Sequence, residues 1–416
     1  MNAPAREKVE VVSFGCRLNL VESEAMRRAA ERAGHSDTIV FNTCAVTAES
    51  VRQARQAIRR VSRERPGAKI VVSGCAAEIE RARFADMPEV AAIVGNAAKT
   101  EAETWRALKR GETPVADIAE ARIARPVTAA RIEGHTRAFL AIQNGCDHRC
   151  TFCVIPYGRG PSRSIPAETA IAQARRLIEL GHKEIVLTGV DLTSWGGDLH
   201  DAPKLGLLVR ALLKALPELW RLRLSSLDCI EADEDLMIAL AEEERLMPHL
   251  HLSLQAGDDV ILKRMKRRHS RRDAIEFCDR VRKLRPDIVF GADLIAGFPT
   301  ETDPMAENTL RLVEDCGLTH LHVFPYSPRE MTPAARMPQV ARDVRVARAK
   351  ALREAGERAL TRHLDAQVGR RVEVLAERGG VGRTADFTLV ATPDVEPGAM
   401  IEGVVAGRDG MKLRLR

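Results

Sequence analysis

Aromatic residues are few: ten Phe, three Trp and two Tyr in 416 residues, which argues against a broad base-stacking platform for nucleic acid. Long apolar runs are missing as well. The greasiest stretch, from Leu205 to Trp220, is broken by Arg210, Lys214 and Glu218, so no membrane span is expected. The opening MNAPAREKVE has no basic start followed by an apolar run, so no secretory leader is expected. Nor is there a G-x-S-x-G elbow, a P-loop or an H-E-x-x-H pair, which removes the commonest nucleophile, nucleotide and zinc-protease signatures.

What is present reads as an ordinary globular chain. At roughly 150 residues per domain, the length suits about three cored units. A net charge of +6 leaves room for an anionic partner without requiring one. Nine cysteines in a chain with no export signal should be reduced, in the cytoplasm. Their odd count fits metal or catalytic work better than a disulfide framework.

From Val9 to about Arg110, short β-branched runs (VEVVSF, TIVFNT, KIVVSG, AAIVG) alternate with helical patterns. That alternation implies parallel strands with crossover helices, an N-terminal α/β domain over 1–110. Residues 111–131 have little periodicity and read as a linker. A second series, AFLAIQN, KEIVLTG, LWRLRLSS, HLHLSLQ, DIVFGADLIAG and HLHVFPYS, predicts a six-strand partial (β/α) barrel over 132–365, trailing into a long basic helix. One helix should open near Pro166, with Glu168 in its first turn and Gly181 past its end. Three β-rich runs over 366–416 predict a small five-stranded barrel of OB-like type.

Cys146, Cys150 and Cys153 form C-x3-C-x2-C directly after the first barrel strand, at the strand end where β/α enzymes place their chemistry. Thiolates suit soft metals, and such a loop can hold three irons of a 4Fe-4S cluster with the fourth left open. Structural zinc with His148 as fourth ligand is the bland alternative. Cys16, Cys44 and Cys75 look unrelated until the strands are marked, for each follows a strand of the N-terminal sheet. In a parallel sheet those ends share one edge, so a second cluster is favoured over three core cysteines. Cys229, Cys278 and Cys316 are read as structural.

C-x3-C-x2-C, with Phe152 before its last cysteine, resembles the radical S-adenosylmethionine signature. FGCRLNLVESEAM, CVIPYGRGPSRS, HLSLQAGDD and IAGFPTET are similar to blocks of the methylthiotransferases over nearly the full chain, and most like the branch that converts threonylcarbamoyladenosine in tRNA to its 2-methylthio derivative. Branches acting on isopentenyladenosine or on a ribosomal-protein aspartate are similar too. The resemblance implies that Cys146, Cys150 and Cys153 bind a 4Fe-4S cluster that cleaves S-adenosylmethionine to a 5′-deoxyadenosyl radical. It further implies that Cys16, Cys44 and Cys75 bind a second 4Fe-4S cluster that delivers the sulfur. It places the cofactor against Thr188, Gly189, Val190, Ser226 and Gln255, with Phe152 and Ile295 near its adenine. The family's glycine-glycine-glutamate reads Thr188-Gly189-Val190-Asp191 here. The tail resembles the RNA-binding TRAM domain. Partners implied are a tRNA anticodon stem-loop and an electron donor such as a flavodoxin or ferredoxin system, with no membrane.

Other readings are weaker. His249 with His251, and His320 with His322, share strand faces and could suggest a barrel metallohydrolase, but that leaves both cysteine sets unemployed. A zinc-stabilised RNA-binding protein is the non-enzyme alternative. Residues 260–272 hold seven Lys or Arg and no acid, which suits either phosphate contacts or a solvated helix face. The tail from Ala366 carries eight basic and seven acidic residues, so its charge alone does not mark RNA binding.

Overall fold

The computed structural model describes residues 9–112, 117–127 and 130–416. It opens with a parallel sheet of β1 (Glu10–Ser13), β2 (Thr38–Thr43), β3 (Lys69–Gly74) and β4 (Ala92–Ile93), in that order. Helices α1 (Arg17–Arg32), α2 (Ala48–Glu64), α3 (Cys75–Ile79), α4 (Arg81–Ala85) and α5 (Ala102–Lys109) connect or follow the strands. Alternate residues serve opposite faces: Ile39, Phe41, Ile70 and Val72 enter one core, Val40 and Val71 the other. Both faces are therefore covered, as parallel sheets require. Thr47 starts α2 by accepting the Ser50 N–H, an N-cap bond. The single helix expected after β3 is two short ones, α3 and α4, broken at Glu80.

Of the expected linker, residues 113–116 and 128–129 lie outside the described residues. Residues 117–127 contain a helical turn whose Ile118 is buried. That turn packs against the segment following the C-x3-C-x2-C loop, where the Ala121 carbonyl accepts from Arg163 at 3.4 Å.

The central unit contains β5 (Ala138–Ala141), β6 (Gln143–Asn144), α6 (Ile155–Arg159), β7 (Arg163–Ser164), α7 (Ala167–Glu179), β8 (Glu184–Thr188), α8 (Leu205–Ala215), β9 (Arg221–Leu224) and β10 (Ser226–Leu227). It continues with α9 (Glu234–Glu242), β11 (His249–Gln255), α10 (Asp259–Met265), α11 (Arg271–Leu284), β12 (Val289–Ala296), α12 (Asp303–Asp315), β13 (Leu318–Pro325) and α13 (Arg342–Ala366). Parallel β5-β8-β9 and β10-β11-β12-β13 join where Ser225 interrupts one strand, and Leu222 bonds Arg245 and Met247 ahead of β11. The result is the expected six-strand partial barrel. Helix α7 starts at Ala167 after Pro166 and ends ahead of Gly181, whose φ of +89° suits glycine.

Outward residues such as Leu140, Ile185 and Leu187 pack under α7 and α8. Inward residues Phe139, Ala141 and Val186 receive Leu18 and Val21 from α1. The first turn of α1 is thereby wedged against the inner barrel wall.

Helix α13 leads to a closed barrel of β14 (Arg371–Glu377), β15 (Val381–Thr384), β16 (Leu389–Ala391), β17 (Met400–Asp409) and β18 (Lys412–Leu415), ordered β14-β15-β16-β18-β17. The β15–β16 hairpin tip presents Phe387 to the central unit. Its ring lies 4.8 Å from the His249 ring and 4.0, 5.1 and 5.2 Å from the Arg383, Arg223 and Arg137 guanidinium carbons, geometry suited to cation–π attraction. Arg221 donates to the Arg383 and Glu373 carbonyls at 3.1 and 2.9 Å. Phe387→Ala is expected to loosen this contact by about 3 kcal/mol, read as faster limited proteolysis within residues 366–416.

Candidate active site

Strand register explains why the first three cysteines meet. Ser13, Asn42 and Ser73 form one row across β1, β2 and β3, and Cys16, Cys44 and Cys75 follow that row by three, two and two residues. They gather at the strands' carboxyl edge, where open α/β sheets bind ligands. Gly15, at φ +92°, makes the approach possible: a Cβ there would lie 2.6 Å from Cys44 Cβ and 2.7 Å from its Sγ. Burial, with the Cys75 and Cys16 thiols as neighbours, pushes the Cys44 thiol up to about 11. Cys16 is exposed, whereas Cys44 and Cys75 are buried.

Beneath this edge lies a buried polar network that the sequence did not reveal. Arg159 forms a fork with Glu22, both bonds at 2.9 Å, and donates to Asn144 and Asn19. Lys99 reaches Glu22 at 2.7 Å and Asn42 at 3.2 Å. Asn42 donates to the Asn19 carbonyl and to Ser23, while Asn19 donates to the Phe14 and Thr43 carbonyls. The network thus fixes the loops that carry Cys16 and Cys44. Burial pushes the Glu22 carboxyl up, but Arg159 and Lys99 outweigh it and hold it down at about 2. Arg159 also lies beside Cys16 and Cys75, and Lys99 beside Cys75.

The second cysteine set occupies the loop between β6 and α6. Cys146 is tied by its N–H to the Gly160 carbonyl at 3.1 Å, and Cys153 to the Cys150 carbonyl at 3.1 Å. Burial pushes the Cys153 thiol up to about 12, and burial together with Asp191 raises Cys146. Arg267 donates to Cys150 Sγ at 3.7 Å, to Asp228 at 2.8 Å and to the Ser253 carbonyl at 2.7 Å. The two sets are neighbours: α3 packs on α6, and a Cβ on Gly158 would lie 3.2 Å from Cys75 Cβ. Asn96 bridges them, donating to Cys75 Sγ at 3.8 Å and to the Gly158 carbonyl.

His148 lies within the cysteine loop, with Cys146 and Asp191 close to it. Its Nε2 lies 2.9 Å from Asp191 and 3.6 Å from Glu231, and these carboxylates raise it to about 10. Each set offers three sulfurs, which fits a cluster that leaves one iron without a protein ligand, whereas structural zinc would need a fourth ligand, for which His148 and Asp191 stand near Cys146.

The other expected contacts stand at the carboxyl ends of barrel strands. Thr188 ends β8, and the Val190 and Asp191 N–H groups donate to Gln143 Oε1 at 3.0 and 2.9 Å. Gln143 also donates to the Gly145 carbonyl at 2.8 Å, stapling this loop to the cysteine loop; nothing in the sequence singled it out. Asp191 accepts from Ser194 at 2.7 Å and lies 3.5 Å from Cys146 Sγ. Ser226 Oγ is 2.7 Å from Ser253 Oγ. Gln255 ends β11 at φ +67°, a strained conformation for a residue with a Cβ. Phe152 and Ile295 share an apolar cluster with Ala256, Phe298 and Tyr326.

Residues 260–272 are not one helix face. Helix α10 ends at Met265 and α11 begins at Arg271, and Arg264, Arg267, Arg268, Arg271 and Arg272 all have protein partners. The histidine rows also have local employment. His251 and His322 lie 3.0 and 3.2 Å from one Asp293 oxygen, and His249 and His320 flank Phe387. Cys229, Cys278 and Cys316 are buried in the main core.

Two family models match: the radical SAM superfamily over residues 140–313 and uncharacterized protein family UPF0004 over residues 8–95. The threonylcarbamoyladenosine tRNA methylthiotransferase MtaB of Rickettsia prowazekii is 47% identical, covering 92% of this chain and 90% of that protein. MtaB of Chlamydia pneumoniae is 33% identical over 94% and 93%. The tRNA-2-methylthio-N(6)-dimethylallyladenosine synthase of Erythrobacter litoralis is 35% identical over 89% and 86%. The fold is shared with the radical S-adenosylmethionine methyltransferase TsrM of Kitasatospora setae, at TM-score 0.57 and 15% identity over 80% of this chain and 75% of that one. With cysteine loop, partial barrel and N-terminal sheet all accounted for, the chain belongs to the radical S-adenosylmethionine methylthiotransferases.

Proposed function

We propose that the protein is the methylthiotransferase that converts threonylcarbamoyladenosine beside a tRNA anticodon to its 2-methylthio derivative. The observation that carries this reading is the 47% identity across 92% of the chain to a relative of that name. The match to a dimethylallyladenosine enzyme at 35% makes isopentenyladenosine the second reading.

Cys146, Cys150 and Cys153 would hold one 4Fe-4S cluster, and Cys16, Cys44 and Cys75 the other. When bound, the first supplies the electron for reductive cleavage of S-adenosylmethionine and the second supplies the sulfur, chemistry that protein side chains lack. Around them the chain has distinct tasks. Gln143 orients the Val190 and Asp191 amides, and Phe152 and Ile295 offer an apolar wall suited to an adenine ring. Arg267 faces Cys150 with a fixed positive charge, and Glu22, Arg159 and Lys99 hold the N-terminal trio in place. The C-terminal barrel would act as a TRAM domain that holds the RNA, whose target base must leave its stack to reach the site. Electrons would come from a flavodoxin or ferredoxin system.

Mass spectrometry of tRNA nucleosides from a deletion strain tests the assignment. The expected result is loss of the 2-methylthio form of threonylcarbamoyladenosine with the unthiolated nucleoside accumulating. Loss of the isopentenyl derivative instead would support the second reading.

A further inference from the structure

Helix α1 begins one residue after Cys16, and its first side chain, Arg17, turns to the inner face of the barrel. There its guanidinium carbon lies 5.8 Å from the Phe139 ring centroid, while Leu18 and Val21 of the same helix anchor it against Phe139, Ala141 and Val186. Three further arginines share this chamber, where the N-terminal unit, the barrel and the C-terminal hairpin converge. Each of the three has a carboxylate: Arg137 meets Glu377 at 2.6 Å, Arg223 meets Glu184 at 2.8 Å and Arg383 meets Glu377 at 3.5 Å. Arg17 alone of the four has neither a carboxylate nor a carbonyl partner among the described residues.

Four guanidinium groups thus face two carboxylates. The Arg17 guanidinium therefore stands among three other guanidinium groups whose carboxylates are already engaged. A half-buried guanidinium with no carboxylate or carbonyl bonded to it among the described residues suits an anionic ligand, and a carboxylate matches its fork of donors in a bidentate pair. Resting on the reading above, the substrate brings such a group: the threonylcarbamoyl substituent on adenine N6 ends in a free carboxylate, whereas a dimethylallyl substituent has no charge or polar atom. The position is also apt, since Arg17 adjoins Cys16, one of the sulfurs at the transfer site.

We propose that Arg17 is a specificity-determining residue, which receives the carboxylate of the threonylcarbamoyl group inside the barrel and so selects a charged N6 substituent over an alkyl one. A half-buried cation that loses its bidentate partner discriminates between ligands, so replacing the substrate carboxylate by an uncharged amide should cost about 100-fold in kcat/KM.

The test uses reconstituted full-length enzyme and two anticodon stem-loop RNAs. One carries threonylcarbamoyladenosine and the other its threoninamide analogue, and both are assayed with wild type, Arg17→Gln and Arg17→Lys. The wild type should prefer the carboxylate RNA by about 100-fold, Arg17→Gln should lose that preference, and Arg17→Lys should keep part of it. Iron per chain, measured alongside, shows whether each variant assembles its clusters. A wild type indifferent to the carboxylate, or an Arg17→Gln variant slowed equally on both RNAs, would overturn the proposal. So would an equal loss of affinity for a stem-loop with unmodified adenosine, which would assign Arg17 to phosphate. If the wild type modifies neither RNA, the substrate assignment itself fails, and the proposal with it.

Discussion

Cys150→Ala is expected to abolish cleavage of S-adenosylmethionine, whereas Cys44→Ala should keep cleavage and stop transfer of the methylthio group. The asymmetry follows from where the two thiols stand. Cys150 belongs to the loop that Arg267 and Gln143 hold at the barrel mouth, next to the strand ends expected to take the cofactor. Cys44 is sealed behind Gly15 at the edge of a different sheet. Each variant should retain about four irons per chain in place of about eight. Release of 5′-deoxyadenosine and formation of thiolated nucleoside, measured in the same reaction, separate the roles. Loss of cleavage in both variants, with iron retained at the intact site, would contradict the division of labour.

Glu22→Gln carries the second large effect, because one carboxylate balances two buried cations. Glu22, Arg159 and Lys99 are 4%, 2% and 1% exposed. Removing the charge of Glu22 leaves both cations uncompensated, at a cost of about 3–5 kcal/mol. The pH dependence has a definite sign. The folded carboxyl sits at about 2 against an ordinary 4.5, so its contribution is complete above about 4.5 and is lost as pH falls toward 2. Thermal melts should therefore show wild type and Glu22→Gln far apart at neutral pH and converging on acidification through that window. A gap that stayed constant down to pH 2 would show that the ionisation of Glu22 does not account for it. Because the same network holds the loops of Cys16 and Cys44, Glu22→Gln should also reduce iron at the N-terminal site more than at the barrel site.

The parts of the fold that rest on periodicity were legible. Alternating β-branched runs and helical stretches mark β1 to β3 and the six barrel strands, because a parallel strand is buried on both faces and its sequence shows it. Legibility failed where local pattern is weak. Ile118 and the turn around it have no period, yet they pack beside α6. The helix expected after β3 breaks at Glu80, where side-chain spacing gives no warning.

At the site, the cysteines were legible because each follows a strand, and register converts that position into proximity. The polar network was not, since Glu22 and Arg159 are 137 residues apart and any surface helix carries similar charges. Arg267 was hidden in the same way, as one basic residue among seven between 260 and 272. Its contacts with Cys150 Sγ, Asp228 and the Ser253 carbonyl set it apart from neighbours such as Arg272, which pairs with Glu276 on the exposed face of α11.

The central claim is that six cysteines form two sets of three, each able to hold a cluster. Iron and sulfide analysis with Mössbauer spectroscopy on anaerobically reconstituted protein tests it most directly. About eight irons per chain in two four-iron clusters, falling to about four when Cys16, Cys44 and Cys75 are all replaced by alanine, is the predicted result. About four irons in the wild type, unchanged by the triple replacement, or stoichiometric zinc in place of iron, would contradict it.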